Sequence, residues 1–167
     1  MNPLFINNAG LIILAPYMGV LFERCGLTNN GTFKDNEAEF KAIQLLDYAV
    51  TGETISGEHD LILQKILCGI PVQNPIDISV EISTDQKAIV DDLLVAITQQ
   101  WPGLENSTID SLRGSFLIRD GKLEEMEDSI YLKVEQKPFD VLLDRIPWNI
   151  SSIKLSWMPK LLKVIWR

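Results

Sequence analysis

Apolar residues recur at helical spacing through the first two-thirds of the chain. Leu14, Tyr17, Met18, Leu21, Phe22 and Cys25 fall three and four apart, the repeat that aligns side chains on one helix face. Pro16 suits a first turn, and Gly26 supplies a left-handed stop with Leu27 placed to fold back on the last turn. A second helix opens at Asp35, an N-cap followed by Glu37 and Glu39 in the first turns. Its inward face is Ala42, Ile43, Leu46, Ala49 and Val50, and Gly52 ends it. A shorter third helix is expected from Gly57 to Cys68, stopped by Gly69 and Pro71. Ile76, Ile78, Val80 and Ile82 alternate with polar residues and allow a short strand. Ser83 with Gln86 is a capping-box pattern; it opens a fourth helix with Ile89, Val90, Leu93, Leu94, Ile97 and Trp101 on one face, closed by Pro102-Gly103. Ser107 and Asp110 start a fifth, burying Ile109, Leu112, Phe116 and Leu117.

The period changes after Asp120-Gly121. Leu123 precedes an acidic run, Glu124 to Asp128, and Ile130, Leu132 and Val134 alternate after it, which predicts a hairpin with a charged tip. Pro138, Pro147 and Pro159 forbid a long helix in the last stretch, where Leu162, Val164 and Trp166 alternate to the end. The expected fold class is α+β: about five helices followed by a small antiparallel β-sheet. One domain over 1–167 is expected, with a helical part at 1–120 and a β-rich, tryptophan-rich part at 121–167.

Composition narrows the class. A chain of 167 residues with 46% apolar and 23% charged residues is that of an ordinary globular protein. The net charge of −8 argues against general nucleic-acid binding, which needs a positive face. Leu11 to Phe22 is apolar, but no Lys or Arg precedes it. It is also shorter than the roughly 20 residues a spanning helix needs, so it reads as a core helix and not as a leader or membrane span. Cys25 and Cys68 lie in apolar surroundings with no metal-like spacing. They read as buried reduced thiols, with a disulfide as the alternative, and a reducing cytoplasm as the folding compartment.

The charge is unevenly placed. Residues 1–130 carry 8 basic and 20 acidic side chains, net −12; residues 131–167 carry 7 basic and 3 acidic, net +4. Three of the four tryptophans, Trp148, Trp157 and Trp166, share the basic end with Met158, Lys160 and Lys163. Tryptophan beside cations is a composition enriched at interfaces, which makes Trp148, Trp157, Met158, Lys160 and Trp166 the candidate partner-binding residues. The alternative is a tryptophan-pinned β core with solvated lysines outside it.

Residues for chemistry are sparse. His59, the one histidine, sits between Glu58 and Asp60; neighbours on a helix point about 100° apart, so it reads as a capping or surface residue. One histidine and two dispersed cysteines do not make a structural zinc site, and the acidic run at 124–128 lacks the ligand spacing of a calcium loop. No phosphate-cradling glycine loop or nucleophile elbow is present. Asp140 and Asp144-Arg145 are interleaved with Val141-Leu142-Leu143. Burial there demands a partner, so Asp140, Asp144 and Arg145 are expected to form a structural ion pair. A hydrolytic carboxylate dyad is the alternative. No metal or cofactor is expected.

Several blocks together resemble a known family. Ile6-Asn7-Asn8-Ala9-Gly10-Leu11 leads to Leu21-Phe22-Glu23-Arg24-Cys25-Gly26-Leu27, then to Gln44-Leu45-Leu46-Asp47-Tyr48-Ala49-Val50-Thr51-Gly52. Glu58-His59-Asp60-Leu61, Lys65-Ile66-Leu67-Cys68-Gly69-Ile70-Pro71 and Trp101-Pro102-Gly103-Leu104-Glu105-Asn106-Ser107 follow. Leu112-Arg113-Gly114-Ser115-Phe116-Leu117-Ile118-Arg119, Phe139-Asp140-Val141-Leu142-Leu143-Asp144-Arg145-Ile146-Pro147-Trp148 and Ser156-Trp157-Met158-Pro159 complete the set. In order and spacing they resemble the C-terminal region of contractile injection system tape measure proteins, from bacterial phage-tail-like particles.

The resemblance implies a structural, non-enzymatic role. Tape measure proteins fill the tube lumen during assembly, set tube length and attach at one end to the baseplate or spike complex. Members carry a long variable region before the shared one, whereas this sequence starts on it, either as an excised fragment or as a short paralogue that kept only the terminal module. The expected role is therefore anchoring or nucleation rather than measurement, with other copies of itself, spike or hub, baseplate and tube proteins as partners. An assembly chaperone or cargo adaptor using the acidic helical face is the alternative, and membrane-surface binding by the tryptophan-rich end a further one. Cytoplasmic assembly into a particle follows from the resemblance, with no nucleic acid and no stable membrane insertion.

Overall fold

The computed structural model describes residues 2–53 and 60–167. The chain enters as a short strand, β1 (Leu4–Ile6), then a buried 3-10 turn at Ala9–Leu14 that runs straight into helix α1 (Ala15–Arg24). Gly26 takes the left-handed conformation that ends α1 (φ +76°), and Leu27 donates its N–H back to Phe22. A two-stranded ribbon, β2 (Thr28–Asn29) and β3 (Thr32–Phe33), leads to α2 (Asn36–Thr51). Asp35 caps α2 by accepting from the Ala38 N–H at 2.8 Å. Helix α3 (Ile62–Leu67) follows. The start expected for it at Gly57, and His59, lie outside the described residues.

The short strand that alternation allows at 76–82 does not form: the segment is irregular, with Ile76 and Ile82 buried and Ile78 half exposed. Alternation there has no partner strand to satisfy. Instead, the Ile78 carbonyl accepts from the Gln44 side chain. Helix α4 (Thr84–Gln100) starts on the Ser83–Gln86 capping box, both halves of which are formed. Helix α5 is a single turn (Ile109–Leu112), capped by Thr108 rather than Ser107, and it continues as a π turn at Arg113–Leu117.

Strands β4 (Gly121–Glu125) and β5 (Ser129–Val134) form the expected hairpin, with Met126 to Asp128 at its tip. After a 3-10 segment at Pro138–Arg145 come β6 (Ser152–Ile153) and β7 (Leu161–Ile165). The five-stranded order is β1-β4-β5-β7-β6. Two features correct the expected sheet. Its edge strand β1 comes from the N-terminus, ahead of all the helices. The sheet is also mixed, because β5 and β7 run parallel while the other pairs are antiparallel. Residues 135–160 connect β5 to β7, long enough for the crossover that parallel pairing requires.

The inward sheet positions Leu123, Ile130, Leu132, Val134, Leu162 and Val164 pack into one core cluster with the 3-10 turn at 9–14, α1, α2 and α3. Gly10 is essential to that contact. A Cβ there would lie 1.7 Å from the Phe116 carbonyl oxygen, so only glycine lets the turn touch the π turn. Among the described residues, no helix is long and apolar enough to cross a membrane.

Candidate functional site

The most polar point of the core is a buried ion pair, Arg119 with Asp140, both about 1% exposed. Arg119 follows the π turn; Asp140 lies in the first turn of the 3-10 segment opened by Pro138. Arg119 Nη1 donates to Asp140 Oδ2 at 2.8 Å and to the Glu135 carbonyl at 3.0 Å, and Nη2 donates to the Ser115 carbonyl at 2.6 Å. The same Asp140 Oδ2 accepts from the Lys137 N–H at 2.8 Å and the Trp166 indole N–H at 3.1 Å. The guanidinium carbon lies 5.8, 5.5 and 5.1 Å from the rings of Phe116, Phe139 and Trp166. Burial pushes the Asp140 carboxyl up, but the donors from Arg119, Lys137 and Trp166 and the guanidinium charge outweigh it. The net shift is downward from its ordinary value, so the pair is ionised.

Asp140, Asp144 and Arg145 were the expected ion pair, and the geometry redistributes them. Asp140 takes Arg119. Asp144 is held from the chain's end by a bidentate contact, Arg167 Nη2 at 2.7 Å and Nε at 3.1 Å, which lowers its carboxyl pKa. Arg145 lies instead beside Glu105, whose carboxylate is stabilised first by backbone N–H groups at 103 and 105 and then by that charge. Residue order could not give these partners, because both arginines arrive from other elements. With each carboxylate committed to its own arginine, the two do not converge as a hydrolytic dyad.

The tryptophans are internal pins. Trp101, fully buried, donates its indole N–H to the Leu142 carbonyl at 2.7 Å. Trp148 donates to Ile13 at 3.0 Å and meets Tyr17 edge-on, with ring centroids 5.2 Å apart. Trp157 donates to Leu67 at 2.7 Å and stacks among Phe22 and Phe33. Trp166 is 2% exposed and Met158 3%. Trp166 and Met158 therefore present almost no surface to a partner in this fold, and Trp148 and Trp157 are half buried with their polar ends committed inward. An indole needs a carbonyl or carboxylate when buried. Here every acceptor lies far along the chain, so composition alone could not separate pin from anchor.

Lys160 stands apart from the pins. It sits at the hairpin-tip end of the sheet, with Nζ 3.1 Å from the Met126 carbonyl and 3.6 Å from Glu125. Beside it is a cavity of about 190 Å3 lined by Ile66, Ile70, Val72, Ile130, Met158 and Pro159. Met126 at the tip is 48% exposed. Of the sequence candidates, Lys160 and Met158 therefore meet at one apolar recess with a cation at its rim.

The thiols carry no evident chemistry. Cys25 and Cys68 are free and buried. Burial pushes Cys25 up to about 11, against a smaller lowering by Arg24, and pushes Cys68 further still, with Glu39 adding to it. Among the described residues, no three His, Cys, Asp or Glu side chains are grouped to hold a metal.

No curated protein and no solved structure matches the chain. A family model does, from residue 1 to residue 166, and on that match the chain belongs to the contractile injection system tape measure protein family.

Proposed function

We propose that this chain is a non-enzymatic assembly module of a contractile injection particle, the folded anchoring unit of its tape measure protein. It docks on the spike, baseplate or tube end. The observation that carries this reading is the family match over residues 1–166 on a chain whose two parts share one core. Tryptophan pins and the Arg119–Asp140 pair hold that core together, as suits a rigid anchor.

The docking contact in this reading is the hairpin-tip end: Lys160, exposed Met126 and the apolar recess beside them. A partner's apolar side chain in such a recess, beside a rim charge, has the makings of an interface hot spot. The test is co-purification of particles carrying Lys160→Glu with Met126→Asp, together with pull-downs against spike, baseplate and cargo proteins. Spike or baseplate binding should weaken at least tenfold while the isolated chain stays folded. Unchanged binding would refute the contact, and capture of cargo alone would favour a cargo adaptor.

A further inference from the structure

The outward face of the five-stranded sheet carries an arrangement that the fold does not need. Strand register places Phe5, Lys122, Lys133 and Ile165 directly beside one another across four strands. Phe5 is 75% exposed and Ile165 51%. Between them, two lysines stand opposite each other on paired strands, a like-charge juxtaposition that destabilises an isolated sheet. Glu124, Tyr131 and Lys163 form the next row. Lys163 lies over the Tyr131 ring at 5.4 Å, and Glu124 is 2.8 Å from Lys122. The strand residues of this face thus carry three cations against one carboxylate, framed by two exposed apolar side chains, with exposed Asp120 and Glu135 where the β4–β5 ladder runs out.

The chain also carries the complement. Along α4, Asp85, Ala88, Asp92, Val95 and Gln99 are all exposed at helical spacing, forming one outward stripe. Helix α1 lies antiparallel beside it, tied by Tyr17 to Gln100 and by Gln86 to the Cys25 carbonyl. It adds Val20, 62% exposed, and Glu23, with Arg24 as the nearby cation. Helix α4 packs on α1, α2 and α5, whereas the sheet covers the 3-10 turn at 9–14, so the two faces lie on different sides of the core. One is basic and apolar, the other acidic and apolar.

We propose that a second copy of this chain occupies the sheet face, seating the α1–α4 face of one copy on the Phe5–Lys122–Lys133–Ile165 row of the next. Such a contact is heterologous: each copy keeps one free face of each kind, so copies stack into a ring or an open column. The inference does not rest on where the module docks, because the hairpin tip lies at the other end of the sheet from this row.

Sedimentation velocity on the purified chain, at low and high salt, tests it. The wild-type chain should show concentration-dependent species larger than a dimer in about 20 mM salt, and at least tenfold weaker association in about 500 mM, where the Debye length falls to a few ångströms. A sheet-face variant, Lys133→Glu with Ile165→Asp, and a helix-face variant, Asp92→Lys with Val95→Lys, should each be monomeric. Circular dichroism checks that both stay folded. Mixed one to one, they should form a heterodimer and nothing larger, since each retains the face its partner lacks. A wild-type chain that stays monomeric at millimolar concentration in low salt would overturn the proposal. So would loss of association in one variant only, or a mixture that fails to pair.

Discussion

Removing the Asp140 carboxylate tests the central structural argument, that the Arg119–Asp140 pair locks the crossover and the last strand onto the helical layer. Asp140 Oδ2 accepts from Arg119, Lys137 and Trp166 at 2.8, 2.8 and 3.1 Å. In Asp140→Ala the Lys137 N–H and the Trp166 indole lose their acceptor, Arg119 Nη1 keeps only the Glu135 carbonyl, and a buried guanidinium is left without its counter-ion. Breaking one partner of a buried pair costs about 3–5 kcal/mol. With a urea m-value of about 2–3 kcal/mol/M, the midpoint should fall by roughly 1–2.5 M. Asp140→Asn keeps an acceptor oxygen for the three donors but leaves the guanidinium without its counter-ion, so its loss should be smaller than that of Asp140→Ala and of the same order.

The double substitution Arg119→Met with Asp140→Leu is the sharper measurement. It removes both charges together and refills the space with apolar atoms, and such replacements are often near neutral. It should be less destabilised than Arg119→Met or Asp140→Leu alone, giving a coupling of several kcal/mol in the double-mutant cycle those three variants close. The pH dependence has a definite sign. The folded Asp140 carboxyl titrates below its ordinary value of 3.8, so the pair's contribution is complete above that value and is lost as pH falls through the lowered one. The gap between wild type and Asp140→Asn should therefore be constant near neutrality and close only in strong acid. A midpoint shift equivalent to less than about 1 kcal/mol for Asp140→Ala, or additive single and double variants, would refute the locking role.

Three further outcomes follow from local geometry. Gly10→Ala places a Cβ 1.7 Å from the Phe116 carbonyl oxygen. The turn must move, and a loss at or above the usual 1–3 kcal/mol or so of overpacking should appear in thermal unfolding. Ser83→Ala removes half of the capping box on α4 and should cost about 1 kcal/mol, measured by urea unfolding with no change in helix content by circular dichroism. Cys25 and Cys68 are buried, with thiols held well above the usual range. A disulfide-exchange reagent at pH 8 should modify them at least about 100-fold more slowly in the native chain than in the unfolded one, and rapid native labelling would contradict their burial.

Local features were legible in the sequence, and long-range partnerships were not. Asp35, Gly52 and the Ser83–Gln86 box mark helix ends because each acts on backbone groups within four residues of itself. The alternation of Ile130, Leu132 and Val134 marks β5 because period two needs no knowledge of the neighbour. Neighbour and direction are another matter. Strand β1 is three residues long, too short for a period, and exists only because Gly121 to Leu123 lie beside it. The parallel pairing of β5 with β7 depends on how residues 135–160 cross, which alternation does not encode.

The charge asymmetry shows the same limit in a more useful form. A net +4 over residues 131–167 suggests one basic surface, but the fold divides those cations by purpose. Arg167 returns to Asp144, Lys160 goes to the hairpin tip, and Lys133 and Lys163 line the open sheet face with Lys122, which comes from the acidic part of the sequence. The tryptophans that accompany them in sequence turn inward, each indole N–H taken by a group between 26 and 135 residues away. Side chains that look like one interface in sequence thus become two things in space. Strand pairing sets the lysines in rows, and the aromatic rings hold that sheet and its crossover to the helical core. A cation on a rigid strand presents a defined pattern to a partner, whereas one on a loose tail offers only net charge. The arrangement therefore favours recognition by position, and a substitution that loosens a pin, such as Trp148→Leu, should weaken spike or baseplate capture in the pull-down although Trp148 lines neither the recess nor the lysine rows.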